Sequence, residues 1–202
     1  MKICTVLLIA LASMPQLCAS KLRGVTQAHR DLQQGSFTVD FAGLSAGDIV
    51  TNLQHGITVS SKKRQGSKTG PLVDASAMIF DSENPTGGDV DLGAPNADFG
   101  GPGKGGAGKN GSEVANTESR GMILIISEDD NSNNPDDHRF GGYITFDFAE
   151  PMVLENIGLL DNEEDTIFEV VTPEGDEIEI VAGQGESALK NVKPKLIILS
   201  FS

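Results

Sequence analysis

Oxygen donors crowd two short stretches of this chain, and their types suit a hard cation. GGDVDLG carries Asp89 and Asp91, and EDDNSNNPDD at residues 128–137 carries Asp129, Asp130, Asn131, Asn133, Asp136 and Asp137. Calcium takes six to eight oxygens, and carboxylates, Asn carbonyls and backbone carbonyls all qualify. Neighbouring acids such as Asp129 with Asp130, or Asp136 with Asp137, repel when folded close together unless a counter-ion neutralises them. These residues are therefore the candidate calcium ligands, provided that the two loops lie on the same edge of the fold. The competing reading is two solvated turns, because Asp and Asn side chains also stabilise turns by bonding to nearby backbone.

The second stretch is not an EF-hand. Asp129, Asn131 and Asn133 alternate as in the first half of such a loop, but Asn134 stands where the sharp turn needs Gly and Phe140 where a bidentate Glu is required. GKGGAGKN at residues 103–110 comes within one residue of a phosphate-binding loop. Asn110 replaces the hydroxyl that holds magnesium, and neither a strand feeding the loop nor a helix leaving it is expected. Asn110, Gly111 and Ser112 instead form an N-glycosylation sequon on an exposed glycine-rich loop.

Catalysis finds little support, and no enzyme is expected. The three histidines, His29, His55 and His138, have no metal-ligand spacing, and no GxSxG elbow is present. Paired carboxylates could cleave glycosidic bonds, but the chain has no Trp and one Tyr, Tyr143, so the aromatic sugar platform is missing. Further acids lie in DNEED at residues 161–165 and in EIEI, where Glu177 and Glu179 project from one strand face about 7 Å apart.

Residues 1–20 read as a secretory signal peptide. Lys2 supplies a minimal positive end, residues 3–12 an apolar core too short to span a bilayer, and Cys18, Ala19 and Ser20 a small-residue cleavage region. Both cysteines, Cys4 and Cys18, leave with it, which excludes disulfides, thiol catalysis and thiolate zinc from the processed chain. Its stability then rests on core burial, which about 180 residues support, or on bound metal. Lys2 is the only charge removed, so the formal charge moves from -14 to -15. Nucleic acid is an unsuited partner for so acidic a chain, whereas cations and positively charged mineral faces suit it.

The elements that must position the acids are short strands. FTVDF, GITVSS, SAMIF, GMILIIS, GYITFDF, MVLENIGLL, TIFEVV, EIEIV and KLIILSF follow one another, separated by Gly, Pro, Asn and Asp. Residues 21–35 form a polar leader, and residues 36–202 a single all-β domain, an antiparallel β-sandwich of jelly-roll type with long Gly-, Asp- and Asn-rich loops. MILII, apolar throughout, belongs at a sheet centre. YITFDF puts Ile144, Phe146 and Phe148 on one face and Tyr143, Thr145 and Asp147 on the other. SKKRQGSKTGP at residues 61–71 and the glycine-rich residues 99–121 are expected as exposed loops.

MIFDSENPTGGDVDLGAPNADFGGPG, LIISEDDNSNNPDD, GGYITFDF and IGLLDNEED resemble the conserved globular domain of acid-rich proteins of the coral skeletal organic matrix, with relatives among secreted marine bacterial proteins. The similarity covers about residue 36 to the C-terminus. It implies secretion into a calcifying space, and association with calcium, calcium carbonate mineral and other matrix components. One departure matters: those proteins carry long Asp and Glu runs, and here no acidic run exceeds three residues. That favours a smaller matrix component over a strong nucleator. The expected function is a secreted, calcium-binding, mineral-associated matrix protein; the alternative is a calcium-stabilised carbohydrate-binding or adhesion module, with glycans as partners.

Overall fold

Short runs of β-branched and aromatic residues, cut by turn formers, fold as antiparallel strands. The computed structural model describes residues 5–7, 12–13, 36–96, 116, 118–149, 152–154, 157–162, 167–171, 177–181, 185–192 and 197–199. In chain order the strands are β1 (Thr5–Leu7), β2 (Ala12–Ser13), β3 (Ser36–Phe37), β4 (Asn52–Leu53), β5 (Ile57–Arg64), β6 (Leu72–Ala75), β7 (Ala77–Asp81), β8 (Met122–Ile126), β9 (Gly142–Phe148), β10 (Met152–Leu154), β11 (Ile157–Asn162), β12 (Ile167–Val171), β13 (Glu177–Val181), β14 (Gly185–Val192) and β15 (Ile197–Leu199). Among the described residues the only helical pieces are two 3-10 turns, Gln54–Gly56 and Val90–Leu92. None of the described helices is long and apolar enough to cross a membrane. The protein is all-β and antiparallel, as the strand pattern requires.

Two larger sheets organise the chain. One has the order β14-β11-β1-β8-β7. In the other, β5 is central: β9 pairs along it from Ile57↔Phe148 to Lys63↔Gly142, while β4 and β6 take the two ends of its opposite edge. Three two-stranded pieces, β10 with β15, β12 with β13 and β2 with β3, complete the pairing. Strand β1 lies within the segment that reads as a secretory signal, and the cleavage region and the leader fall outside the described residues.

The core follows from period-two alternation. Ile57 and Val59 of β5 and Phe148 of β9 meet Ala77, Ile79, Leu124 and Leu159 of the five-stranded sheet in one buried cluster, with Ile144 and Phe146 packed against it. The intervening residues Met78, Phe80, Ile123 and Ile125 point to the other face, where Leu92, Ala94 and Leu160 join them. β7 and β8 are thus buried on both faces, which is why MILII is apolar at every position. Leu92 and Ala94 belong to that second cluster, so the loop that carries Asp89 is itself anchored in the core.

Several expectations need correcting. The basic stretch 61–71 is not all loop. Ser61, Lys62, Lys63 and Arg64 continue β5, paired with β6 on one side, and only residues 65–71 turn. The heads of two of these basic side chains reach polar partners: Lys63 Nζ donates to the Glu128 carbonyl at 2.5 Å and an Arg64 guanidinium N–H to the Gly70 carbonyl at 3.2 Å. FTVDF keeps strand pairing only at Phe37. Val39 and Phe41 are still buried, but the chain turns there, with the Leu44 N–H donating to the Phe41 carbonyl at 3.0 Å. MVLENIGLL divides into β10 and β11. The glycine-rich loop is described only in part, and Asn110 lies outside the described residues.

Candidate metal centre

The first acidic loop leaves β7 through Asp81, whose Oδ1 accepts the Glu83 N–H at 2.9 Å and whose Oδ2 accepts an Asn84 side-chain N–H at 2.8 Å. Ser82 fastens the loop's base: its Oγ–H donates to the Gly121 carbonyl at 2.8 Å, and its own carbonyl accepts the Ala94 N–H at 2.9 Å. Between these ends the Val90–Leu92 turn drops Leu92 into the core. The tip is a tight turn in which the Asp89 N–H donates to the Thr86 carbonyl at 3.0 Å. Gly87 and Gly88 take φ values of 66° and 102°, a region that side chains with a β-carbon disfavour.

The second loop leaves β8. Ser127 and Asp137 close its base as an isolated antiparallel bridge, and the Glu128 N–H donates to the Asp136 carbonyl at 2.9 Å. Its other acids do turn work. Asp129 Oδ1 accepts the Asn131 N–H at 2.9 Å, and Asn131 Oδ1 accepts the Asn133 N–H at 3.2 Å. Asp130, at φ 62°, donates its N–H to Ser127 Oγ at 2.9 Å, and its Oδ1 accepts the Ser76 N–H at 3.3 Å. Strand β5 holds the loop from outside through Lys63 on Glu128 and through His138, whose Nε2–H donates to the Arg64 carbonyl at 2.5 Å.

The two loops meet. Thr86 Oγ–H donates to the Pro135 carbonyl at 2.7 Å, the Gly87 N–H to Asn134 Oδ1 at 3.1 Å, and the Asp137 N–H to Asp89 Oδ2 at 2.6 Å. The result is a cluster in which one carboxylate oxygen each from Asp89, Asp136 and Asp137 lies within 4.8 Å of the others. Calcium–oxygen bonds of 2.3–2.6 Å put opposite ligands about 4.6–5.2 Å apart, so all three oxygens fit on one calcium sphere.

The electrostatics of the cluster run against three free negative charges. The Asp89 carboxyl is pushed up to about 8 from an ordinary 3.8, first by burial and then by the charge of Asp137, with Asp136 adding and the Asp137 N–H pulling the other way. Asp136 is also raised, chiefly by burial, with the charges of Glu128 and Asp129 adding and its hydrogen bond with Asp89 opposing. Carboxylates this close share protons or a cation.

Of the sequence candidates, Asp89, Asp136 and Asp137 are brought together, from both loops. Asp129, Asn131 and Asn133 remain in the second loop's own turns, Asp130 binds Ser127 and Ser76 apart from the trio, and Asp91 sits on the 3-10 turn outside it. Sequence reasoning passed over Thr86, Gly87, Asn134 and Pro135, which join the loops. Their signal was turn chemistry, in PTGG and NNPDD, and not charge.

Fold and site together define an all-β chain with a three-carboxylate cluster at the junction of two core-anchored loops. No family model, curated protein or solved structure matches it.

Proposed function

We propose that this chain is a secreted, non-enzymatic, calcium-binding component of a calcified extracellular matrix, associating with calcium carbonate mineral and other matrix components. The observation that carries the calcium reading is the convergence of Asp89, Asp136 and Asp137 with an Asp89 carboxyl pushed up to about 8. A divalent cation relieves that repulsion while using the same oxygens, and oxygen-only ligands in loops suit calcium better than softer metals. The mineral part of the reading rests on the resemblance to acid-rich skeletal matrix domains and on the formal charge of -14. Many exposed carboxylates, each screened at high salt, act together over a mineral face.

Calorimetric titration of the secreted protein with calcium tests the reading. Binding heat and a rise in Tm are expected, both lost in Asp136→Ala and retained in Asp129→Ala. No heat and no Tm change in the unmodified protein would remove the calcium site. Cosedimentation with aragonite then tests the mineral reading: an unmodified protein left in the supernatant would remove it.

A further inference from the structure

Positive charge is scarce in a chain of formal charge -14, and among the described residues it is gathered in one place. Of the seven described Lys and Arg residues, all but Arg120 and Lys190 belong to β5 and the turns beside its C-terminal end. β5 alternates buried Ile57, Val59 and Ser61 with exposed residues, so Lys62 faces away from the core, as does its register partner Tyr143 on β9. Lys63 is engaged elsewhere, at the Glu128 carbonyl. Lys68 lies exposed in the turn after β5, and Arg139 lies exposed in the turn before β9.

Two guanidiniums here are set over rings. Arg64 Cζ stands 5.8 Å from the centroid of Tyr143, and Arg139 Cζ 4.7 Å from that of Phe140. A guanidinium has five N–H donors in a rigid fork, and a ring against its face leaves that fork free to meet an oxyanion. The bond to the Gly70 carbonyl uses one donor of Arg64. The backbone beneath is fixed: the Arg64 N–H donates to the Gly141 carbonyl at 2.9 Å, and the His138 Nε2–H to the Arg64 carbonyl. The turn that carries Arg139 is therefore fastened to the strand end that carries Arg64. Lys62 meets Asp74 at 3.5 Å, but both side chains are exposed, so an incoming anion can take the ammonium at little cost.

We propose that this end of the sheet is a docking strip for an anionic polysaccharide, with Arg64, Arg139 and Lys62 taking its sulfate or carboxylate groups and Tyr143 a sugar ring. Charge complementarity calls for an anion, and guanidinium forks hold oxyanions through paired hydrogen bonds. The surroundings choose among polyanions. The acidic stretch Glu128–Asp130 is tied to the same strand end through Lys63, and the chain as a whole is acidic, so a membrane or a nucleic-acid duplex presents too broad a negative surface. A thin, flexible chain can follow the cations and avoid those acids. Next to Lys62 and Tyr143 along the same strands, Ser60 and Thr145 oppose each other in register, both exposed, and their hydroxyls suit a sugar better than an acidic peptide. The strip is independent of the calcium site.

The test titrates the full chain with heparin oligosaccharides, which are sulfated, and with hyaluronan oligosaccharides, which carry carboxylates only, in chelator so that no calcium bridges them. Saturable binding of at least one is expected, weakening as NaCl rises, and the one bound names the anion. Arg64→Gln combined with Arg139→Gln should weaken it at least about tenfold. Arg139→Gln alone, at an exposed side chain, should weaken it about threefold without moving Tm, and Arg139→Lys should not restore it fully, because lysine keeps the charge and loses the fork. Lys190→Gln, the same charge change on β14, and Asp136→Ala should leave binding unchanged. Failure of both polysaccharides to bind overturns the proposal. So does a Lys190→Gln loss equal to that of Arg139→Gln, or polyaspartate of matched charge binding as tightly, which would make the partner an acidic peptide.

Discussion

A β-carbon placed on Gly87 would stand 2.6 Å from both Cβ and Cγ of Asp136. Gly87 also sits at φ 66°, so two independent constraints reserve the position for glycine. Its bare backbone lets the first loop lie against the second, and Asp136 is one of the acids gathered there. Gly87→Ala is expected to lower stability by about 1–3 kcal/mol and to weaken calcium binding, because Asp136 must move. Gly88→Ala is the control. It too has a positive φ, but nothing lies within 4 Å of its added β-carbon, so it should lower Tm and leave calcium affinity unchanged. Melting with and without calcium separates the two.

Asp89→Asn should shift stability in opposite directions with and without calcium. Without the ion, the substitution removes a crowded carboxylate beside Asp137 and Asp136 and keeps an oxygen to accept the Asp137 N–H, so Tm at pH 8 should rise or hold. With calcium in excess, the unmodified protein should gain Tm and the variant should not. A variant that still gains the full calcium shift would take Asp89 out of the ligand set.

Proton linkage gives a pH signature with a definite sign. Asp89 titrates near 8 in the folded chain against 3.8 ordinarily, so the ion-free folded state binds a proton that the unfolded state has released. That contribution to stability is fully present below about pH 4 and is lost as pH rises towards about 8. Calcium must displace the proton, so its affinity should climb across the same window. Calorimetry at about pH 6 in buffers of different ionisation enthalpy should report proton release on binding, fading above about pH 9. Affinity independent of pH from 5 to 9 would contradict the assignment.

Much of the fold was legible because some strands carry their burial in their residues. MILII could only sit between two apolar layers, and YITFDF alternates as a half-buried strand must. Strand β14, GESALKNV, was invisible: Gly, Glu, Ala, Lys and Asn are poor strand formers, and its pairing to β11 over Ile157↔Val192 to Asn162↔Gly185 decides the matter. The basic end of β5 was hidden for the same reason. For the site, charge marked both loops without ranking their acids. Asp129 and Asp137 look alike in sequence. They differ because Asp137 sits at the bridged base opposite Ser127, beside the first loop, while Asp129 sits out in the turn. The bond from Asp137 to Asp89 spans 48 positions, and local pattern holds no information about such a contact.

That distinction can be tested directly at Asp129. Its Oδ1 accepts the Asn131 N–H at 2.9 Å in a side-chain-to-backbone turn, and an Asn carbonyl oxygen can take the same bond. Asp129→Asn should therefore melt within about 0.5 kcal/mol of the unmodified protein, while Asp129→Ala should lose about 1 kcal/mol. Neither should change the number of calcium ions bound, because Asp129 acts in the turn and only raises the charge that Asp136 feels. Removing that charge should even make the Asp136 carboxyl easier to ionise. Asp129→Asn that loses a calcium ion while holding its Tm in the ion-free state would make Asp129 a ligand, and would extend the metal centre from the bridged base out into the turn.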